Sequence, residues 1–150
     1  MNLSHKIPPP VVALVFAALI YLPADFLPRL VFDGQNIMAW FVAITGLVIG
    51  LVAIVSFIRL KTTVNPLKPK SATALVTSGM YRISRNPMYL AMLLFILSLC
   101  IFTGAISGVV LLPSFVVYIY VFQILPEEQA MKELFPEAYP VYCQQVRRWI

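Results

Sequence analysis

The chain has 150 residues, 61% of them hydrophobic and 11% charged, with a formal net charge of +5 and a mean hydropathy of +0.89. A soluble globular chain carries about 25% charged residues, so this composition excludes a soluble domain and describes one membrane-embedded domain over residues 1–150. The positive residues cluster beside apolar runs rather than on an aromatic-interleaved polar face, which makes them topology signals and sets nucleic acid aside as a partner.

A short polar lead, residues 1–6, contains the only histidine, His5, which reads as a solvated terminal residue. Three prolines at 8–10 open an apolar run over 11–22 that is interrupted by Pro23 and Asp25 and closed by Pro28 and Arg29. Pro10 suits a first helical turn, where a missing N–H costs little, and no small-residue cleavage site follows, so the segment reads as a first span over about 8–28 rather than a signal peptide. Asp33-Gly34 marks a turn. Residues 37–58 are then uncharged and long enough to cross a hydrocarbon core of about 30 Å.

The connection at 59–86 carries Arg59, Lys61, Lys68, Lys70, Arg82 and Arg85 and no acidic residue. Positive-inside asymmetry places it in the cytoplasm. Pro66 and Pro69 make its first half extended or turning. From Met88 to Leu125 no residue is charged, and a single helix of that length would be roughly 57 Å long. The run therefore folds back near residues 103–108, TGAISG, giving a tight hairpin of two helices over 87–102 and 109–125, with Pro113 in the second.

After Pro126 the tail, 126–150, is polar, and Met131, Phe135, Tyr139, Tyr142, Val146 and Trp149 recur at steps of three and four. That spacing predicts an amphipathic C-terminal helix on the cytoplasmic interface, divided by Pro136 and Pro140, with Arg147 and Arg148 on its other face. The expected fold is thus all-α integral membrane, with four transmembrane helices and both termini cytoplasmic, in the plasma (inner) membrane. Cys100 in a span and Cys143 in the tail read as packing residues, not as a disulfide or metal ligands.

The hairpin brings GMYRISRNPMYL, residues 79–90, to the same end as Glu127 and Glu128. Asn86 and Pro87 have the types favoured at a helix N-cap and first turn. Arg82 and Arg85 read either as positive-inside anchors or as a carboxylate or phosphate site. Tyr81 and Tyr89 suit interfacial anchors as well as ligand contacts. Glu127 and Glu128 suit a helix N-terminus, although ionisable groups at a membrane boundary tend to be functional.

TTVNP at 62–66, LVTSGMYRISRNPMYL at 75–90 and PEEQAMKELFPEAYPVYCQQVRRW at 126–149 resemble the integral-membrane methyltransferases of the isoprenylcysteine carboxyl methyltransferase and phospholipid N-methyltransferase group. The resemblance implies S-adenosylmethionine as cofactor and a hydrophobic or membrane-partitioned acceptor carrying a carboxylate, thiol or amine. Tyr81, Arg85, Asn86, Pro87, Tyr89 and Leu90 match the group's Y-x-x-x-R-H-P-x-Y-L pattern, and Glu127 and Glu128 its double glutamate. Arg82 joins Arg85 as a partner for the donor's carboxylate, while Glu127 and Glu128 are candidates for its ammonium and for the base, so Arg85, Glu127 and Glu128 form the expected catalytic set. Tyr139, Tyr142 and Arg147 fall in the group's tail motif and are the expected acceptor contacts.

Asn86 replaces the usual histidine, Phe135-Pro136 replaces Phe-Gly, and the G-x-G of the phospholipid enzymes is missing near 103–108, so the pattern is nearest to isoprenylcysteine-methyltransferase-like proteins. Phospholipid N-methylation is the alternative within the class. A non-catalytic carrier or assembly subunit is the alternative outside it. The chain lacks the glycine fingerprint of a dinucleotide-binding fold, which excludes a soluble-type methyltransferase.

Overall fold

The computed structural model describes residues 7–59 and 74–150. His5, Lys61, Lys68, Lys70 and the 62–66 motif lie outside the described residues. The described chain is helical without a β-strand. In order it forms α1 (Pro9–Tyr21), α2 (Gln35–Arg59), a short 3₁₀ turn (Gly79–Arg82), α3 (Pro87–Thr103), α4 (Gly108–Ile119), a π turn (Tyr120–Ile124), α5 (Leu125–Leu134) and α6 (Ala138–Gln145).

Among the described residues, two helices are long and apolar enough to cross a membrane: α2, and the continuous helix Gly108–Leu134 made by α4, the π turn and α5. In α2 the buried residues are Gln35, Ala39, Gly46, Ala53 and Ser56, a stripe of small or polar side chains whose first three meet α3 and whose last two meet the segment around the 3₁₀ turn. Its bulky residues, among them Trp40, Phe41, Leu47 and Leu51, are exposed. Small residues inside and large apolar ones outside is the arrangement of a helix whose outer face meets lipid. At Gly46 a Cβ would stand 3.1 Å from the Leu94 Cβ and 3.2 Å from the Ala91 carbonyl oxygen, so glycine sets the α2–α3 spacing.

Helix α3 is the central element. It packs against α1 and α4 through a core that includes Val12, Ile20, Tyr89, Ile96, Cys100, Phe115 and Ile119, with Phe16 edge-on to Phe115 at 5.4 Å. It ends where Gly104 takes φ +66°, a left-handed conformation natural to glycine. The last carbonyls of α3, at Ile101 and Phe102, accept hydrogen bonds from Gln35 Nε2, so the start of α2 caps the end of α3. The hairpin turns at residues 104–107.

The structure changes two expectations. The first apolar run is helical only over Pro9–Tyr21, about 20 Å of helix, rather than over 8–28. Pro23 lies in the turn that follows, where proline's fixed φ and missing N–H stop helix growth. The tail breaks at Pro136, as expected, but not at Pro140, and its periodic aromatic residues are covered by protein. It is α5 and α6 separated at Pro136, and its apolar residues Tyr139, Tyr142 and Val146 are buried against Leu75, Met131 and Phe135. Pro140 does not divide it, because it falls in the first turn of α6, where its missing N–H has no intrahelical partner to lose.

Helix Gly108–Leu134 widens into its π turn just before Pro126. The proline has no N–H and its ring crowds the carbonyl four residues back, and the Leu125 N–H bonds to Tyr120 O, five residues back. Gln123 and Ile124, within the π turn, are buried.

Candidate active site

A cavity of about 570 Å³ opens at the end of the molecule where α3 begins and α5 follows the hairpin's second arm. One part of its wall is polar: Tyr81, Arg85, Asn86, Tyr89, Glu127, Glu128, Tyr139 and Tyr142. The rest is apolar, from Gly50, Ile54 and Phe57 of α2, Ala91 and Phe95 of α3, and prolines 8–10 at the start of α1. The volume lies within the range of about 300–1,000 Å³ usual for small-molecule and cofactor sites.

The two glutamates, adjacent in sequence, have different partners. Glu128 Oε1 and Oε2 accept hydrogen bonds from Arg148 Nε at 2.7 Å and Nη2 at 2.9 Å, a two-point fork. Its Oε1 also lies 3.2 Å from Arg85 Nη2, with both side chains only 11% exposed. Glu127 accepts a 2.5 Å hydrogen bond from the Tyr89 hydroxyl on Oε1, the one hydrogen bond it has among the described residues.

Glu127 lies beyond Leu125, past the apolar stretch of its helix. Burial pushes its carboxyl up to about 7, against the opposing effect of the Tyr89 hydroxyl. It therefore titrates near neutrality. Burial likewise raises the phenol groups of Tyr81, Tyr139 and Tyr142, which keeps all three neutral.

Arg85 is held from three directions. Its backbone N–H donates to Arg147 O at 3.0 Å, its Nη1 lies against Cys143 Sγ, and its Nη2 faces Glu128. Its Nε is buried and has no hydrogen-bond partner among the described residues. Asn86 occupies the N-cap position of α3 and Pro87 the first turn, but the Asn86 side chain makes no cap. Its Nδ2 donates instead to Arg148 O at 2.9 Å, because the tail returns across the segment before α3 and offers a carbonyl there.

Arg82 is exposed and does not line the cavity. Pro87 and Leu90 are buried in α3, also outside the lining. Arg147 is exposed and contributes its backbone carbonyl rather than its guanidinium. Tyr142 both lines the cavity and donates from its hydroxyl to Tyr81 O at 2.6 Å, tying α6 to the 3₁₀ turn.

Sequence reasoning missed Arg148, the apolar contribution of α2 and the prolines at 8–10. Arg147 and Arg148 are alike in the one-dimensional pattern, and nothing in the sequence says which one faces Glu128. The α2 residues sit in an ordinary apolar run, so only their neighbours distinguish them.

The arrangement sets charged groups of both signs beside an adjoining apolar space. The Arg85 guanidinium suits a carboxylate, and Glu127 suits an ammonium. A family model described as phospholipid methyltransferase matches residues 34–138, spanning α2 to the start of α6. No curated protein and no solved structure matches the chain.

Proposed function

The chain belongs to the phospholipid methyltransferase family of membrane methyltransferases, and from that premise we propose that it transfers a methyl group from S-adenosylmethionine to a membrane-partitioned acceptor. The observation that carries this reading is the joining, in one cavity, of Arg85, Glu127 and four tyrosines with apolar walls from α2 and α3.

The residues fit the cofactor. Arg85, which lines the cavity, has the charge to meet an amino-acid carboxylate, and Glu127 has the charge to meet its ammonium. Tyr81 and Tyr89 offer aromatic faces for adenine or for the sulfonium. When bound, S-adenosylmethionine supplies an electrophilic methyl group.

The protein's own contribution is to hold and to exclude. Arg85 and Glu127 orient, the tyrosines stay neutral, and the apolar wall keeps water from the acceptor's nucleophile. A carboxylate acceptor needs no base, whereas a thiol or amine acceptor has a proton to lose and needs one. Glu128 is occupied by two arginines and is assigned to positioning.

In the bilayer we place α1 to α4 as the embedded bundle. The basic 59–86 segment, the cavity mouth and the tail lie on the cytoplasmic side of the inner membrane, by positive-inside asymmetry. The acceptor then arrives from the lipid and the donor from water.

Calorimetric titration of the detergent-purified protein with S-adenosylhomocysteine tests the donor site. Micromolar binding that is lost in Arg85→Ala and in Glu127→Ala supports it. Unchanged binding in both variants removes the site assignment, and no binding by folded wild-type protein brings forward the carrier or subunit reading. The family description favours a phospholipid headgroup amine as acceptor. Lipid extracts from cells making only phosphatidylethanolamine would then gain mono- and dimethylated headgroups on expression; if they do not while the donor still binds, the acceptor is a carboxylate or thiol.

A further inference from the structure

The last five residues leave α6 and double back over the segment that precedes α3. Val146 is buried, and the carbonyl of Arg147 accepts the Arg85 N–H at 3.0 Å. The carbonyl of Arg148 accepts the Asn86 side-chain amide at 2.9 Å and the Ser84 hydroxyl at 3.4 Å. Three hydrogen bonds thus fix the backbone of this strap against the segment that carries Arg85 and Asn86.

The strap delivers one side chain to a particular place. Arg148 forks onto both oxygens of Glu128, and its guanidinium carbon lies 5.1 Å from the Tyr120 ring centre, within the range of a cation–π contact. Tyr120 is the first residue of the π turn, so the widened helix supplies the face on which Arg148 rests. Arg148 lines no part of the cavity, yet the carboxylate it grips is the one that faces Arg85.

We propose that Arg148 is a positioning residue: by holding both oxygens of Glu128 it fixes the carboxylate that aligns Arg85, leaving Glu127 as the cavity's carboxylate for a ligand. The proposal rests on the donor-site reading above and assigns the residues that build it. Without Arg148, Glu128 has one guanidinium in place of two and no anchor to the strap. Arg85 then turns to satisfy Glu128 by itself, and its guanidinium is no longer held in its place on the cavity wall. A buried carboxylate is sensitive in this way because removing one member of a buried ionic cluster leaves the others under-compensated.

The test is S-adenosylhomocysteine titration of full-length wild-type, Arg148→Ala, Arg148→Lys, Glu128→Gln, Glu128→Gln/Arg148→Ala and exposed Lys132→Ala proteins, with a thermal melt of each. Arg148→Ala is expected to weaken binding about tenfold, the scale of coupling seen for groups in one ion-pair network. Arg148→Lys keeps the charge but not the fork and is expected to fall between, while Lys132→Ala binds as wild type. In the Glu128→Gln background, removing Arg148 is expected to have no further effect on affinity.

A purely structural role for the strap would lower the melting temperature while leaving the affinity of the folded fraction unchanged. That outcome overturns the proposal, as does wild-type affinity in Arg148→Lys should Arg148→Ala fail to fold. Wild-type binding lost in Arg85→Ala but kept in Arg148→Ala defeats the positioning role alone. Absence of wild-type binding defeats the donor-site reading and this proposal with it.

Discussion

At Glu128 both carboxylate oxygens are taken by Arg148, whereas at Glu127 a single neutral donor, Tyr89, reaches one oxygen. The consequence is a difference in titration. Burial raises Glu127 to about 7, so its protonated form stabilises the fold; that contribution is complete below the ordinary carboxylate range and is lost as pH rises through about 7. The ionised form is the one that attracts an ammonium. Affinity for S-adenosylhomocysteine is therefore expected to rise severalfold between about pH 6 and about pH 8, with Glu127→Gln flattening the profile. Tyr89→Phe removes a hydrogen bond that favours the carboxylate and is expected to move the midpoint upward. A profile identical in wild type and Glu127→Gln would show that another group governs the pH response.

At the scale of elements, the pairing of α2 with α3 does two jobs with two glycines. At Gly46 a side chain would press on Leu94 and the Ala91 carbonyl at 3.1 and 3.2 Å, whereas at Gly50 a Cβ would meet the Ala91 Cβ at an ordinary 3.4 Å. Gly50 faces the cavity. Gly46→Leu is accordingly expected to separate the helices and cost about 1–3 kcal/mol, the usual penalty of overpacking, read as a lower melting temperature in detergent. Gly50→Leu is expected to spare the melt and S-adenosylhomocysteine binding while filling the apolar end and lowering turnover of a long-chain acceptor. Equal melts for the two variants would contradict this division.

Over the whole molecule, the α3–α4 hairpin separates its turn from its two open ends. Ile106, in that turn, is exposed, as is Arg82, beside the cavity. In cells, with Cys100 and Cys143 replaced by alanine, a cysteine at position 82 and one at position 106 are expected to react with a membrane-impermeant maleimide from opposite faces of the membrane. Labelling of both from one face would overturn the proposed topology.

Hydropathy and helical period were enough to reveal the all-helical, membrane-embedded character, the hairpin turn near 103–108 and the meeting of the 79–90 segment with the double glutamate. These follow from properties summed locally along the chain: an uncharged run has a length, and a run twice too long must turn. Periodicity also detected the apolar face of the tail, but whether that face meets lipid or protein depends on what packs against it. Here its own halves pack on each other, with Leu75 against them and the Tyr142 hydroxyl bonded to Tyr81 O. Asn86 has the type of an N-cap residue, yet its amide is claimed by a carbonyl arriving from residue 148. Likewise, neighbouring residues on a helix point roughly 100° apart, so Glu127 and Glu128 carry one signal in sequence and meet different partners in space. Chemical type and helical spacing were written in the chain, while the partner of each charge was decided by which distant segments the fold brought within about 3 Å, the reach of a hydrogen bond.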